Sequence, residues 1–252
     1  MNQPVTPPMT EQHSAHERCD ILVIGAGPAG LAAALAAAPS GAAITLVDDN
    51  PQPGGQIWRD GPQVVLPALA QQHRTALARH TNIRMLPGTR VVGLGDPQPG
   101  DKAPALLLED ADRGWTQHSH RIVLCTGARE LLLPFPGWTL PGVTGAGALQ
   151  ALIKAGLDVR GQRIVIAGTG PLLLAAAATA NKAGATVVRV AEQAPWSAQL
   201  RASSHVLEVQ GTTQVQTVRL RKGQHAEETM ACDRVACGFG LVRCWAAHWA
   251  GR

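Results

Sequence analysis

Gly25, Gly27 and Gly30 stand at the spacing G-x-G-x-x-G. Directly before them runs Ile21-Leu22-Val23-Ile24, short, apolar and β-branched, which reads as a strand. Directly after them residues 31–38 are rich in Ala and Leu and favour a helix. Each glycine answers a separate demand: Gly25 permits the tight turn, Gly27 lets backbone approach a pyrophosphate, and Gly30 lets the helix lie close on the strand. Free N–H groups and the positive dipole end of the helix face the same point, which suits phosphate. A second strand, residues 43–47, ends in Asp48-Asp49. Asp48 follows Gly25 by 23 residues, near the roughly 20 expected of an acid that accepts from a ribose hydroxyl. Together these make a βαβ unit built to hold a dinucleotide.

The same grammar returns later. Residues 163–167 read as a strand, Gly168-Thr169-Gly170-Pro171 as its turn, 172–183 as a helix and 186–191 as a second strand ending at Glu192. Leu173 stands where a third glycine belongs, so looser packing of this helix on its strand is expected. Two such units imply two nucleotide sites, the alternative being a duplicated fold whose second site is vacant. Glu192 would accept from a free 2′-hydroxyl and repel a 2′-phosphate, which favours NAD over NADP. Arg189 on the preceding strand could serve a phosphate instead.

Around these motifs the chain supplies positioning elements. Asn50 to Arg59 holds two prolines and the adjacent glycines Gly54 and Gly55, an irregular loop leaving a strand's carboxyl end and so lying near the ligand. Residues 65–80 read as helical. Short strands at 83–86, 89–94 and 106–109, separated by Pro/Gly turns, read as a small antiparallel insertion. Residues 121–125 form a buried strand running into Thr126-Gly127-Ala128. The proline-dense passage 133–142 marks an extended connector between domains, and Trp138 is expected to pack that connector against a domain. Residues 149–155 are expected to be helical. His118 and His120 fall in what reads as a polar, solvated loop.

Composition excludes several classes. Apolar residues make up 45% and charged residues 16% of 252, as in a globular protein, and the net charge of +4 is unclustered. Arg219, Arg221 and Lys222 read as a solvated strand end, and two Phe with no Tyr give no platform for stacking bases, so nucleic acid is not a partner. No apolar stretch approaches the roughly 20 residues of a membrane span. Residues 1–18 have no apolar core of a signal peptide and read as a disordered tail. The five cysteines, Cys19, Cys125, Cys232, Cys237 and Cys244, include no CxxC pair, which argues against a redox dithiol or a metal centre. Their odd number points to the reducing cytoplasm.

The residues at 25–30, 48, 51–56, 126–128, 168–192 and 237–240 resemble the two-dinucleotide-binding-domain flavoproteins. More narrowly, PGGQIWR at 53–59, LPFPGWTLPGV at 133–143 and GTGPLLLA at 168–175 resemble the FAD-binding alpha subunits of opine and amino-acid dehydrogenases. That group includes octopine and nopaline oxidases, hydrogen cyanide synthase and dye-linked proline dehydrogenase. The likeness covers residues 20–242. It implies that Gly25, Gly27, Pro28, Ala29 and Gly30 hold the FAD pyrophosphate, and that Asp48, with Asp49 beside it, takes the adenosine ribose. Gly54, Gly55 and Gln56 would lie towards the flavin, Arg90 and Val91 would bracket the adenine through backbone, and Thr126, Gly127 and Ala128 would close over the cofactor. Gly168, Gly170, Pro171 and Glu192 would form a second site for NAD(H). Against the family pattern the chain passes within a few residues from Leu200 to a strand at His205, and its last residues carry no family pattern. An internal deletion and a truncated carboxyl end are therefore expected.

We expect an α/β protein with two Rossmann-like (FAD/NAD(P)-binding) domains and a small antiparallel β insertion. Its divisions would be a tail at 1–18, an FAD domain at 19–145 with the insertion at about 83–120, an NAD-type domain at 146–240 and an unassigned tail at 241–252. The expected activity is that of an FAD-dependent oxidoreductase, the flavin-binding subunit of an amino-acid or opine dehydrogenase, acting on a small molecule with a second oxidoreductase subunit. The alternatives are a nicotinamide-dependent disulfide-reductase-like flavoprotein, which the missing CxxC disfavours, and an inactive nucleotide-binding module. No catalytic side chain is assigned.

Overall fold

The computed structural model describes residues 15–62, 64–192, 204–223 and 226–244. The chain divides into two compact units, one drawn from Met1–Trp58 and Pro67–Cys125, the other from Arg59–Leu66 and Thr126–Arg252. The second unit thus takes in Thr126–Gly145 and a short return at 59–66 that the sequence alone assigns to the first.

In the first unit the elements are β1 (Ala15–Ile24), α1 (Pro28–Ala37), β2 (Ile44–Asp48), α2 (Ala68–Leu77), β3 (Ile83–Pro87), β4 (Arg90–Leu94), β5 (Leu106–Glu109) and β6 (Gly114–Leu124). They form one six-stranded sheet in the order β3-β2-β1-β6-β5-β4. The first four strands are parallel, with Ile24 opposite Val47 on one side and Leu124 on the other. Strand β2 is buried along its whole length, as a parallel strand covered on both faces must be. The antiparallel strands are no separate layer: β3 joins the parallel edge, while β4 and β5 extend the sheet from the first half of β6. The tail placed at 1–18 is likewise shortened, because β1 begins at Ala15 and pairs with β6 from Trp115 onward. Leu22, Leu106, Leu108 and Trp115 fill the core here.

The second unit holds β7 (Ala128–Glu130), β8 (Val143–Gly145), α3 (Ala146–Lys154), β9 (Arg163–Gly168), α4 (Leu172–Lys182), β10 (Thr186–Glu192), β11 (Ser204–Gln210), β12 (Thr217–Lys222), β13 (Ala226–Ala231), β14 (Arg234–Gly238) and β15 (Leu241–Arg243). A parallel sheet runs β10-β9-β14-β8, an antiparallel meander runs β11-β12-β13, and β15 pairs with β7. Alternation along β9 explains the layering. Ile164 and Ile166 pack with Leu149, Leu173 and Ala180 of the helices, whereas Val165 and Ala167 pack with Val209, Val218 and Leu220 of the meander.

The proline-dense passage is no bridge between domains, because it is bonded into this unit. Val209 donates to the Pro136 carbonyl (2.9 Å), Val215 to Pro141 (3.0 Å) and Val235 to Gly142 (3.0 Å). Its anchor is Phe135, edge-on to Phe239 at 6.2 Å, while Trp138 is 42% exposed. The Ala194-Pro195-Trp196 run lies outside the described residues. Arg219 and Arg221 are ion-paired with Glu208 and Glu227, as befits a solvated strand.

His118 overturns its sequence reading: it lies on β6 and is 1% exposed. Its Nδ1 lies 2.8 Å from Asp101 Oδ2 and its Nε2 3.1 Å from His16 Nδ1. Gln98 Oε1 accepts from Arg18 (2.9 Å), so its Nε2 is the donor to His16 Nδ1 (3.3 Å). Both ring nitrogens of His118 thus have partners, which allows the side chain to be buried. His120 also lies on β6 and not in a loop, half-buried with its Nδ1 3.3 Å from Asp20 Oδ1. The Gln98 amide, and then His118, hold the Asp101 carboxyl down at about 2. A carboxyl depressed on folding stabilises above its unfolded value and loses that contribution as pH falls through its folded one. Asp101→Asn is therefore expected to lower the melting temperature at neutral pH. The difference from the parent should fade between pH about 4 and about 2 in melts followed by circular dichroism.

Candidate functional site: two glycine turns and their acids

Strand β1 ends at Ile24, and Gly25 reverses the chain at φ 99°, where an L side chain is strained. A Cβ on Gly30 would lie 1.7 Å from the Gly25 carbonyl oxygen, so α1 rests directly on the turn. Gly27 differs. It caps α1 at an ordinary φ of −69°, and a Cβ there would meet nothing closer than Gly55 Cα at 3.9 Å. The protein itself therefore has room for a methyl group at 27. Pro28 occupies the first turn, Ala29 follows it, and neither a side-chain cap nor an acid shields the N-terminus of α1.

Asp48 closes this turn. Its Oδ2 accepts from the Ala26 amide (2.5 Å), and its Oδ1 accepts from the Asn50 amide (2.8 Å) and Nδ2 (2.7 Å). Asp49 is exposed and holds the same Asn50 Nδ2 at 2.9 Å. The loop after it folds back, with Gly54 donating to the Ala26 carbonyl at 2.8 Å. Gly54 (φ 136°) and Gly55 (φ 57°) need their glycine freedom, and a Cβ on Gly55 would sit 3.0 Å from Gly27 Cα. Gln56 is exposed beyond them. Thr89 donates to the Asp48 carbonyl (2.9 Å), which brings the start of β4 to the acid. Arg90 turns its side chain to Glu109 (2.9 Å), and Val91 is partly exposed. Residues 25–30, 48–49, 54–55 and the root of β4 are thereby gathered at one end of the sheet. Thr126, Gly127 and Ala128 belong to the second unit, where the Gly127 carbonyl accepts from Cys244 and Ala128 opens β7.

The second turn repeats the first with one substitution. Gly168 (φ 142°) and Gly170 (φ 96°) turn the chain, Pro171 caps α4, and no side chain shields that helix N-terminus. Glu192 Oε1 accepts from the Gly170 amide at 3.1 Å, across the same 22-residue interval that separates Ala26 from Asp48. Glu192 is 1% exposed, and its Oε2 has no partner among the described residues. A buried acceptor left unmade costs about 1–3 kcal/mol or more, a deficit that a ligand hydroxyl would cancel.

Leu173 does not loosen the helix: it is fully buried, and the room comes from Gly238 on β14, where a Cβ would lie 2.9 Å from Leu173 Cδ2. Arg189 is turned to Glu228, which holds its Nη2 through both oxygens at 2.8 Å in an exposed ion pair.

Several residues here escape sequence reasoning. Gly238 is visible only once β14 is known to neighbour β9. Glu130 caps α3, accepting from Gly147 (2.8 Å) and Ala148 (2.9 Å), with no local signal because it lies on a different strand. All five cysteines are free thiols, and burial pushes Cys232 up to about 11 and Cys237 up to about 12, so neither is a nucleophile. Among the described residues no cluster of His, Cys, Asp or Glu could hold a metal, and no helix is long and apolar enough to cross a membrane.

Two parallel-sheet units, each with a glycine turn, an unshielded helix N-terminus and an acid ending the second strand, define a dinucleotide-binding α/β protein. Residues 19–241 match the family model of the pyridine nucleotide-disulphide oxidoreductases, and the chain belongs to that flavin oxidoreductase family. It is 36% identical to an opine oxidase subunit from Agrobacterium tumefaciens (strain Ach5) over 69% of this chain and 37% of that one. It is also 36% identical to the HcnB subunit of hydrogen cyanide synthase from Pseudomonas protegens, over 68% and 38%. The L-proline dehydrogenase of P. horikoshii shares the fold, with a TM-score of 0.65 at 19% identity, covering 91% of this chain and 44% of that one. The chain spans about two-fifths of the length of these curated relatives.

The packing demands at the two turns separate in a mutational test. Gly30→Ala sets a methyl against backbone and is expected to abolish soluble, folded protein. Gly238→Ala presses on a side-chain end and should cost about 1–3 kcal/mol. Leu173→Ala in the same chain should recover part of that loss in denaturant melts.

Proposed function

We propose that the first unit binds FAD and the second binds NAD(H), and that the chain is the flavin- and nucleotide-binding part of a dehydrogenase acting on amino acids or opines. One observation carries this: the acid-to-turn hydrogen bond occurs in both units at the same interval, each time beneath an unshielded helix N-terminus. When bound, FAD supplies the hydride and electron chemistry, and the protein supplies binding and orientation.

In the first unit the residues fit a pyrophosphate. Gly27 leaves open space at the end of α1, Gly54 and Gly55 wall it with backbone, and Asp48 retains acceptor capacity for a ribose hydroxyl after three hydrogen bonds. In the second, the unpartnered Glu192 Oε2 suits a 2′-hydroxyl, and Arg189 is neutralised by Glu228, so NAD(H) is preferred over NADP(H). Thr126, whose Oγ1 is buried and without a partner among the described residues, and its neighbours Gly127 and Ala128 are assigned to the cofactor by resemblance.

The substrate is a small amine-bearing molecule and the partner a second oxidoreductase subunit. Supporting this, the relatives are themselves named as subunits of opine oxidase and hydrogen cyanide synthase. Free cysteines are in keeping with a reducing cytoplasm. A disulfide reductase is disfavoured, since no two cysteines stand at CxxC spacing and the two most deeply buried thiols are held protonated.

Purified protein incubated with FAD and desalted is expected to retain visible flavin absorbance and to pass electrons from NADH to a dye, with NADPH a poorer donor. Protein that keeps no flavin, or binds ADP without any NADH-to-dye activity, contradicts the proposal. Glu192→Gln should raise the KM for NADH by about tenfold or more while leaving flavin content unchanged, from loss of a charge-assisted hydrogen bond.

A further inference from the structure

The loop that carries Gly54 and Gly55 is held closed from outside itself. After Asp48 the chain curls so that Trp58 donates to the Gly54 carbonyl at 3.0 Å. The Arg74 guanidinium on α2 reaches both ends of that curl, donating from Nη2 to the Pro53 carbonyl and to the Trp58 carbonyl (3.3 Å). His73, its neighbour on the helix, stacks at a tilt on Trp58 with ring centroids 5.4 Å apart, and Trp58 is buried. The curl has no slack: a Cβ on Gly54 would fall 2.3 Å from the Trp58 oxygen and 3.0 Å from Arg74 Nη2. Its other face is the one bonded to Ala26 and pressed on Gly27.

Resting on the FAD reading above, we infer that Arg74 is a positioning residue for the flavin. It clasps the carbonyls of Pro53 and Trp58 and so presents Gly54 and Gly55 against Gly27 in the conformation that receives FAD. A guanidinium suits this task because its Nη2 carries two N–H donors fixed in the plane of the group, one for each carbonyl, whereas an ammonium's donors rotate. Both hydrogen bonds are only part-buried, so removing the clasp lets water take its place and frees the curl without unfolding the sheet. The loss then falls on FAD, which must order the loop itself before binding.

The test compares Arg74→Ala, Arg74→Gln and Arg74→Lys in the full chain. FAD affinity would be read by flavin fluorescence quenching, the FAD-free melting temperature by circular dichroism, and the bound flavin by its visible circular dichroism. Arg74→Ala and Arg74→Gln should weaken FAD by about tenfold or more, the scale of two lost hydrogen bonds. Arg74→Lys should recover part of the affinity while altering the visible circular dichroism of the bound flavin. FAD-free melting temperatures and NADH binding by the second unit should stay unchanged. Equal FAD affinity in all variants overturns the inference, as does a loss of affinity matched by a fall in the FAD-free melting temperature. Failure of the parent chain to bind FAD overturns the underlying reading instead, which keeps the two distinguishable.

Discussion

A helix can aim its N-terminus at a phosphate only if it lies almost on the strand that feeds it, and close backbone contact at the turn is the constraint on which both units depend. In the first unit the contact is between Gly30 and the Gly25 carbonyl, where a single methyl group would overlap an oxygen. In the second, the helix carries Leu173 at the corresponding place and the missing side chain is moved across the sheet to Gly238. The same approach is reached by deleting a Cβ from the helix in one case and from a neighbouring strand in the other. Everything placed around the turns follows from that approach: the acid that braces each turn, the open helix end, and in the first unit the second glycine loop laid over it.

The acids show how one motif yields two unlike sites. Asp48 is short and already holds three protein donors, so it chiefly fixes the turn and the loop beyond it. Glu192 is longer by one methylene, holds its turn through one oxygen and keeps the other buried, with no partner among the described residues. A buried carboxylate oxygen without a donor is held in place by the fold at a cost, and such costs collect where ligands bind. Charge around the second turn points the same way, since the arginine nearest in sequence is consumed by Glu228.

Much of this was legible because it is local. Strand, turn, helix and acid succeed one another within each βαβ unit, so glycine spacing and apolar runs sufficed to place Gly25–Gly30, Gly168 and Gly170 at turns and Asp48 and Glu192 at strand ends. What could not be read depends on residues distant in sequence. Gly238 meets Leu173 only because β14 pairs with β9, and Arg74 meets Pro53 only because α2 folds back on the loop. His118 sits in a polar run that looks solvated, yet Asp101 and His16 satisfy both of its nitrogens and allow it to be buried. The proline-dense passage misled for a related reason: prolines accept hydrogen bonds as well as any residue, and the carbonyls of Pro136 and Pro141 bind it to the second unit.

We propose that the first turn is shaped to receive a pyrophosphate and not by packing alone, and Gly27 isolates that demand. Its backbone is ordinary and the protein leaves room for a methyl group there, so Gly27→Ala perturbs only an incoming ligand. Titration of FAD into the parent and Gly27→Ala proteins, each with a parallel thermal melt, measures this directly. The expected result is an unchanged FAD-free melting temperature with FAD binding weakened by at least about tenfold, roughly 1.4 kcal/mol. Equal FAD affinity in the two proteins would contradict it.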